Sequence, residues 1–531
     1  MPCTPHYLPM KSNYLLLLAS LVFSACFLAC TETDSKSEKH PNIIYILADD
    51  LGYGDISAFN PGGKILTPNI DEIAAEGMIF TDAHTTSSVC TPSRYSILTG
   101  RYSWRTRLKQ GVLTGKSKAL IPNNRSTLAS MLRPYGYHTA FIGKWHLGWD
   151  WALKDTSKFE GAGWNATDFD NLDFTKDVAN NPNDLGFDYA FGHSGSLDMA
   201  PYVYVENGEV TAMPDRITVD TGDYTWWRQG PTGSDFVHEK VTPEFFERSL
   251  EHIESRARQG QPFLLYLALP SPHTPILPTE EWLGRSGLNP YADFVMLIDD
   301  YIGRMTNLLE ELDIEDETIL VFTSDNGCSP EANFDLLDSL GHQPSYIYRG
   351  HKADIFEGGH RVPFVIKWPD RIAPGSVCQS TVCTTDFFAT AAEIVDHSLQ
   401  DDQGEDSFSM LPLFDNESDG YQRISTVHHS INGSFAIRKG EWKLILCPGS
   451  GGWSFPTPKE VKSLDSLSPF QLYNLKDDPG ETNNLYEEQL DMAHDLRDEL
   501  MKLIESGRSN AGPKQPNDFF NGEWHQINFS S

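Results

Sequence analysis

Three apolar runs recur along the first two thirds of the chain, at 42–48, 262–269 and 318–323. Each run lacks charged residues and ends directly in polar side chains, which is typical of strands buried on both faces of a parallel sheet. Helical patterns lie between these runs, at 69–76, 127–132 and 291–312. Because strands alternate with helices, we predict an α/β domain with a central, mostly parallel sheet at residues 41–425.

The pattern changes in the last fifth of the chain. Apolar segments at 435–438 and 442–446 flank a short glycine-containing turn, which predicts a β-hairpin. A further strand at 470–475 and an amphipathic helix at 483–506 follow. We therefore predict a small C-terminal α+β domain at 426–531, an antiparallel sheet with a packing helix, and expect its aromatic side chains to form its core.

Residues 1–30 resemble an export signal, with a positive charge ahead of an apolar run at 14–23 and small residues before cysteine. Alanine precedes both Cys26 and Cys30, which resembles a bacterial lipoprotein cleavage site at which the cysteine is lipidated. A plain secretory signal is the alternative. We expect a polar linker at 31–40 and export to the periplasm or cell surface, with a lipid anchor in the outer membrane if the cysteine is acylated.

The 531 residues include 41 Lys and Arg against 74 Asp and Glu, a formal net charge of −33. This negative field repels nucleic acid, so a general nucleic-acid binder is excluded. An anionic substrate would still bind in a local pocket of positive side chains. Five cysteines follow the signal, too few for a disulfide scaffold, and a bridge between Cys378 and Cys383 stays open, as does the oligomeric state.

Cys90, Pro92 and Arg94 form the pattern Cys-x-Pro-x-Arg, and Leu-Thr-Gly follows at 98–100. In this segment, and in the further blocks below, the chain resembles the type I, formylglycine-dependent sulfatases of the alkaline phosphatase superfamily. The resemblance implies an alkaline-phosphatase-like α/β domain with a smaller C-terminal domain. It also implies that Cys90 is oxidised to formylglycine (3-oxoalanine) by a formylglycine-generating enzyme or an anaerobic sulfatase-maturing enzyme.

The resemblance implies a reaction, the hydrolysis of sulfate esters. In the family the aldehyde hydrates to a geminal diol, one hydroxyl attacks sulfur, and the alcohol leaves. The second hydroxyl then loses its proton, and the aldehyde re-forms as inorganic sulfate departs. A serine at position 90 would attack but would not eliminate sulfate so easily.

Oxygen ligands for a metal ion follow two of the predicted strands. Asp49 and Asp50 come after the first strand, and Asp325 and Asn326 after the third. The carboxyl ends of parallel strands form one edge of a sheet, where open α/β folds place their sites. Oxygen-only coordination favours calcium or magnesium over zinc. The resemblance implies one calcium ion, to which the oxygen of the modified Cys90 also binds.

Other blocks supply positive charge and proton transfer. Gly-Lys-Trp-His-Leu-Gly at 143–148 matches a second sulfatase signature. By the resemblance, Lys144 contacts the sulfate and the formylglycine, and His146 hydrogen-bonds the hydroxyl that is deprotonated. His273 binds sulfate and is the expected general acid for the leaving alcohol. Lys352 is expected to contact sulfate and the bridging oxygen, and Arg94 to position the diol.

The segment at 161–240 is rich in aromatic and hydrogen-bonding residues and is where we expect substrate selection. Within it, His193 and Asp198 are the candidate substrate contacts, although an ordered loop packed on the domain explains the same composition. The expected substrates are sulfated polysaccharides or their oligosaccharides. Marine algal polymers such as ulvan or carrageenan, favoured slightly by the acidic composition, and animal glycosaminoglycans are the candidates.

Three other functions stay open. A phosphomonoester or phosphonate monoester hydrolase on the same fold would use the same metal ligands. A catalytically silent module that binds sulfated glycans is expected to lack the cysteine, a metal ligand or His146, and none of these is missing here. A thiol hydrolase that uses unmodified Cys90 would be inactivated by alkylation.

Overall fold

The structure is a computed structural model and describes residues 1, 2, 4, 40–158, 169–464 and 466–518. The chain divides into two compact units, Met1–His40 and Pro41–Ser531, and all that follows concerns the second. The predicted signal, including Cys26 and Cys30, lies outside the described residues. Among the residues described, no helix has the length and hydrophobicity that a bilayer crossing requires.

The secondary structure alternates between strands and helices as far as residue 414. In chain order the described strands are β1 Asn42–Asp49, β2 Met78–Phe80, β3 Ala83–His84, β4 His138–Lys144, β5 Tyr189–His193, β6 Val205–Glu206, β7 Glu209–Val210, β8 Pro214–Asp220, β9 Trp227–Gly233, β10 Phe263–Pro272, β11 Thr318–Ser324, β12 Phe364–Lys367, β13 Ser376–Cys378, β14 Val382–Cys383, β15 Ser425–His429, β16 Phe435–Lys439, β17 Trp442–Ile445 and β18 Gln471–Asn474. The described α-helices are α1 Pro68–Glu76, α2 Cys90–Thr99, α3 Leu128–Leu132, α4 Val241–Gln259, α5 Pro290–Glu311, α6 Phe334–Ser339, α7 Glu357–His360, α8 Asp386–Ile394, α9 Leu411–Phe414 and α10 Leu490–Ser506.

A ten-stranded sheet forms the centre of the fold, in the order β13-β2-β12-β11-β1-β10-β4-β5-β6-β7. The five strands from β11 to β5 are parallel, and β12 and β6 run antiparallel to them at the two sides. The three strands expected from the sequence are β1, β10 and β11, which are direct neighbours. The predicted α/β class with a mostly parallel central sheet is therefore confirmed.

β1 shows why an unbroken apolar run was needed at the centre of the sheet. Ile43, Tyr45 and Leu47 belong to the hydrophobic core on one face, while Ile44 and Ile46 belong to the core on the other. All are fully buried. Since successive side chains of a strand point to opposite faces, a strand covered by helices on both sides must be apolar at every position.

The small C-terminal sheet has the order β15-β16-β17-β18, and each strand pairs antiparallel with the next. The predicted hairpin corresponds to β16 and β17. α10 packs on this sheet through Leu496 and Leu500, in a core that also includes Tyr102 and Trp104 from the first part of the chain. The domain boundary at 425/426 stays a prediction, because Pro41–Ser531 form one compact unit.

Two expectations for this region were wrong. The helix begins at Leu490 and not at 483, because the Asp478 carboxylate accepts the backbone N–H groups of Thr482 and Asn483 in a turn, each at 2.8 Å. The aromatic residues do not all form core. Trp453 and Phe455 are 43% and 67% exposed, because the loop that carries them is held on the surface by contacts distant in sequence.

Candidate active site

The ends of β1 and β11 bring four oxygen-donor side chains together. Ala48 pairs with Ser324 in parallel register, so that Asp49 and Asp50 lie beside Asp325 and Asn326. All four side chains are buried. Asn326 Nδ2 donates to Asp50 Oδ1 at 2.7 Å, and the Asp50 backbone N–H donates to Asp325 Oδ1 at 3.3 Å. Asp50 adopts a left-handed backbone conformation with φ of 64°, a strained geometry that is frequent at functional sites.

The carboxylate pKa values and the unpaired oxygens of this group favour the binding of a cation. Burial raises the pKa of Asp49, but Lys144, His273 and Arg94 outweigh it and hold that pKa well below its usual range. Burial and the neighbouring Asp49 carboxylate raise the pKa of Asp325 to about 7. Asp49 Oδ1 and Asn326 Oδ1 are buried without a hydrogen-bond partner. Oxygen atoms in this state are the donors that a hard divalent cation takes, so the residues present fit such an ion.

Cys90 is the first residue of α2 and is buried. Its Sγ and one carboxylate oxygen each of Asp49 and Asp325 lie within 4.8 Å of one another. Burial raises the pKa of the Cys90 thiol to about 11, although Lys144 and Lys352 oppose the rise. The unmodified side chain is therefore a protonated thiol at neutral pH, which disfavours the thiol hydrolase alternative.

Arg94 lies one helical turn after Cys90, as expected from the sequence, and holds several strand ends together. Its Nε donates to Asp325 Oδ2 at 2.7 Å. Its two terminal nitrogens donate to the backbone carbonyls of Lys144 at 3.0 Å and Leu269 at 3.1 Å. The guanidinium thereby connects α2 to β4, β10 and β11.

Three cationic or ionisable nitrogens converge on the aspartates. Lys144 Nζ donates to Asp49 Oδ2, and Lys352 Nζ donates to Asp50 Oδ2 at 2.6 Å. His273 Nε2 lies 3.6 Å from the same Asp50 oxygen. All three side chains are buried, so their charges act with little screening by water.

Ser196 is a polar contact of this site that sequence reasoning did not single out. Its Oγ accepts a hydrogen bond from Lys144 Nζ at 3.2 Å and lies 3.4 Å from His273 Nδ1. The serine lies in the segment where substrate selection was expected, yet nothing in the local sequence distinguishes it from its serine neighbour at 194. Only the fold places it between the two nitrogens.

His146 is held as a neutral imidazole. Its Nε2 lies 2.8 Å from the carbonyl oxygen of Leu113 and donates to it, so Nδ1 carries the lone pair, and Nδ1 is buried without a hydrogen-bond partner. Burial and the Lys144 charge hold the pKa of His146 well below its usual value. The Thr91 hydroxyl donates to the His146 carbonyl at 2.9 Å, which ties this residue to the start of α2. The backbone of His146 is left-handed, with φ of 53°.

A family model for the sulfatases matches residues 41–397. The chain belongs to the sulfatase family. This sulfatase is 32% identical to the N-acetylgalactosamine-6-O-sulfatase of Bacteroides thetaiotaomicron, with 92% of this chain and 98% of the relative covered. It is 30% identical to human arylsulfatase A, with 84% and 83% covered. It is therefore a sulfuric ester hydrolase.

A solved structure from Bacteroides thetaiotaomicron, described under the metabolism of multiple glycosaminoglycans, superposes with a TM-score of 0.75. It is 32% identical in sequence, and the match covers 88% of the sulfatase and 99% of that chain. The two folds therefore agree over nearly the whole length of the compact unit.

The two candidate substrate contacts of the sulfatase lie near the site but in different surroundings. His193 ends β5 beside Lys144, and its ring stacks on Phe245 with centroids 5.8 Å apart. Burial, with the Lys144 charge, lowers the pKa of His193 to about 3, so this ring is a neutral part of the interior. Asp198 forms an ion pair with Arg228, and its Oδ1 is buried without a hydrogen-bond partner. Their roles as substrate contacts stay predictions.

His84, His360 and His428 form a separate cluster of buried histidines, with ring nitrogens within 4.8 Å of one another. The rings of His360 and His428 stack in parallel, with centroids 4.0 Å apart, so their lone pairs cannot converge on one ion. Lys443 Nζ lies 3.0 Å from His360 Nε2, and Arg438 lies 2.9 Å from His84 Nε2. These contacts describe a hydrogen-bonded packing layer of the sulfatase and not a metal centre.

The segment that leads into α2 is held by the C-terminal sheet of the sulfatase. The backbone N–H of Ser88 donates to the carbonyl of His429 at 3.1 Å, and the N–H of His429 donates to the carbonyl of Thr86 at 3.1 Å. His429 is the last residue of β15. The position of Cys90 therefore depends on a strand formed near the other end of the chain.

Proposed function

We propose that this sulfatase removes sulfate from sulfated glycans, with Cys90, oxidised to formylglycine, as its nucleophile and with one bound calcium ion. The observation that carries the proposal is the location of Cys90 within 4.8 Å of the Asp49 and Asp325 carboxylates, at a site that Lys144 and Lys352 also enter. This is the arrangement that an anionic ester needs, with a nucleophile, a metal site and positive charge in one pocket.

The substrate class is supported by the relatives. The Bacteroides thetaiotaomicron relative is named for N-acetylgalactosamine 6-O-sulfate chemistry. An N-acetylgalactosamine 6-sulfate unit of a glycosaminoglycan is therefore the first substrate that we propose for this chain. Algal polymers are the second choice.

The metal ion would be held by Asp49, Asp50, Asp325 and Asn326, with the modified residue 90 as a further ligand. Calcium at this position would neutralise the clustered carboxylates and favour the deprotonated form of the nucleophile. Magnesium is less suitable because it demands a small, regular octahedral site.

Side chains of this protein supply the nucleophile, bind the sulfate group and protonate the leaving alcohol. A formylglycine at position 90 supplies the nucleophile and allows sulfate release by re-forming its aldehyde. Lys144 and Lys352 bind sulfate oxygens. His273 in its imidazolium form protonates the leaving alcohol from Nε2 and becomes a neutral imidazole, while its Nδ1 N–H donates to the Thr274 carbonyl throughout.

His146 and Arg94 act on residue 90 itself. The lone pair on His146 Nδ1 accepts the proton of a hydroxyl at residue 90, and a neutral imidazole is the form required for this. Arg94 orients the start of α2 through its bond to Asp325. Neither residue needs to change its protonation state before substrate binds.

The proposal includes export through the signal at 1–30 and modification by a formylglycine-generating or anaerobic sulfatase-maturing enzyme. Lipidation at Cys26 or Cys30 would anchor the protein to the outer membrane. The small C-terminal domain at 426–531 would complete the site from one side.

Three measurements on protein from its native host test the proposal. Mass spectrometry of the peptide containing Cys90 should show an aldehyde in place of the thiol, and the protein should release sulfate from N-acetylgalactosamine 6-sulfate. The sulfate and phosphate esters of one aryl alcohol should be compared, with faster hydrolysis of the sulfate. An intact thiol in fully active protein, or preference for the phosphate, would overturn the proposal.

A further inference from the structure

A surface loop at 449–457, here called the Trp453 loop, is fixed beside Lys352 by a buried carboxylate. Asp354 Oδ1 accepts the backbone N–H groups of Trp453 at 2.8 Å and Ser454 at 3.0 Å. Asp354 Oδ2 accepts the backbone N–H of His351 at 3.0 Å and the Ser454 hydroxyl. One carboxylate therefore fixes both the loop and the segment that carries Lys352.

The backbone of the loop packs directly on the same segment. A Cβ atom added at Gly452 would lie only 2.4 Å from the carbonyl oxygen of Ala353, so only glycine permits this approach. The backbone N–H of Ile355 also donates to the carbonyl of Ser450 at 2.8 Å. These contacts hold the Trp453 loop in one position relative to the lysine.

The indole of Trp453 stands at the outer side of the site. Its ring centroid lies 5.9 Å from Lys352 Nζ, within the range of a cation–π contact, while 43% of the residue is exposed. Lys352 Nζ in turn donates to Asp50. The indole thus lies next to a charged group of the site, and part of it is open to solvent.

We propose that Trp453 is a binding platform for the sugar ring that carries the sulfate ester. The proposal rests on the proposed function, because Lys144, Lys352 and His273 are there assigned to the sulfate. With the sulfate held by these groups, its ester oxygen directs the attached ring outward, towards the indole. The C–H face of a pyranose is apolar and flat enough to pack on an aromatic face, while its hydroxyls remain hydrated.

An exposed tryptophan on a rigid loop is energetically suited to binding a sugar ring. A large exposed aromatic ring gains little from packing on its own protein, but it buries a large apolar area when a ligand covers it. Since the loop is already held by Asp354 and Gly452, little conformational entropy is lost on binding.

Phe455 provides a matched control. It belongs to the same loop and is 67% exposed, more than Trp453. Removing its ring takes away a comparable apolar surface from the same backbone. A general effect of exposed aromatic residues on this loop would therefore appear in both variants.

The test uses the matured enzyme and its Trp453→Ala, Trp453→Leu and Phe455→Ala variants. The probes are N-acetylgalactosamine 6-sulfate as substrate and inorganic sulfate as competitive inhibitor. We expect both Trp453 variants to raise KM about tenfold, equivalent to about 1.4 kcal/mol, with kcat changed by less than about twofold. The inhibition constant of inorganic sulfate, which has no ring, should stay unchanged, and Phe455→Ala should match wild type.

Each other outcome has a defined meaning. An unchanged KM in both Trp453 variants would overturn the inference and leave the proposed function intact. An equal rise in KM and in the inhibition constant of inorganic sulfate would also overturn it, because the indole would then act on Lys352 and not on the sugar. If wild-type enzyme releases sulfate from no sulfated sugar, the proposed function fails, and the inference fails with it.

Discussion

Arg94 and Asp325 form a buried ion pair in which Nε donates to Oδ2 at 2.7 Å. The pair connects the helix that begins at Cys90 to the strand that ends at a candidate metal ligand. Neither partner reaches water, since both side chains are almost fully buried. Removing one partner would therefore leave the other charge buried without its hydrogen-bonded partner.

Arg94→Met should destabilise the protein by about 3–5 kcal/mol, because it leaves the Asp325 carboxylate buried without its partner. Urea unfolding measures this difference. The control is Arg285→Met, since Arg285 pairs with Glu281 on the surface at 2.9 Å and its loss should cost less than about 1 kcal/mol. Equal effects of the two substitutions would contradict the role given to the buried pair.

Calcium binding should strengthen as pH rises towards 7 and then level off. Asp325, whose pKa lies at about 7 without a cation, must lose its proton before it can bind the ion. Below that pKa, the affinity should fall by up to about tenfold per pH unit. Calorimetric titration of the Cys90→Ser variant with calcium measures the effect.

The matching control is Asp325→Asn introduced into the Cys90→Ser variant, because the amide keeps one oxygen donor and has no proton to lose. The calcium affinity of this double variant should be weaker than that of Cys90→Ser alone but nearly independent of pH between 5 and 8. A pH dependence of the same size in this variant would assign the titration to another group. Chelation of calcium from the matured enzyme should abolish sulfate release, and added calcium should restore it.

Cys90→Ser should bind substrate but lose multiple turnover. A serine hydroxyl can attack sulfur, but it has no second hydroxyl through which sulfate could be expelled. Sulfate release measured over many enzyme equivalents distinguishes the two steps, and binding of N-acetylgalactosamine 6-sulfate confirms an intact pocket. Sustained release at the wild-type rate would contradict the proposed nucleophile.

Acid should destabilise the fold through histidines whose pKa values lie below the usual range, such as the half-buried His252. For His252, burial and the neighbouring His138 lower the pKa to about 3, below the unfolded value of about 6.5. The unfolded chain therefore binds this proton between those values and the folded chain does not, so stability is fully present above pH 6.5 and falls as pH decreases.

His252→Gln should reduce this acid slope by up to about 1.4 kcal/mol per pH unit between pH 6 and 4. Denaturant unfolding at several pH values gives the slopes for wild type and variant. His494 lies exposed on α10, and His494→Gln serves as the control. Identical slopes in wild type and His252→Gln would rule out the contribution assigned to this ring.

Local patterns were sufficient for much of the fold. β1, β10 and β11 could be predicted because strands buried on both faces require apolar residues at every position. The start of α10 could not, because the Asp478 carboxylate competes for amides that the periodicity assigns to the helix. Propensity alone does not show which partner a backbone N–H takes.

The same distinction applies to the site. Cys90 and Asp49 could be chosen because motif and strand end coincide with their chemistry. Ser196 could not, since its importance comes from two nitrogens supplied by other strands. The local sequence predicts a core position for Trp453. The structure differs because a hydrogen bond from its backbone N–H to Asp354, 99 positions earlier, holds it at the surface.

The hydrogen bonds between β15 and the segment before Cys90 can form only late in synthesis. The backbone N–H of Ser88 bonds to His429, which is 341 positions further along the chain. At about 5–20 residues per second, synthesis of that stretch takes roughly 20 to 70 s. Throughout this interval the thiol at position 90 lacks its final neighbours, and the maturing enzyme proposed above would have access to it before the pocket closes over it.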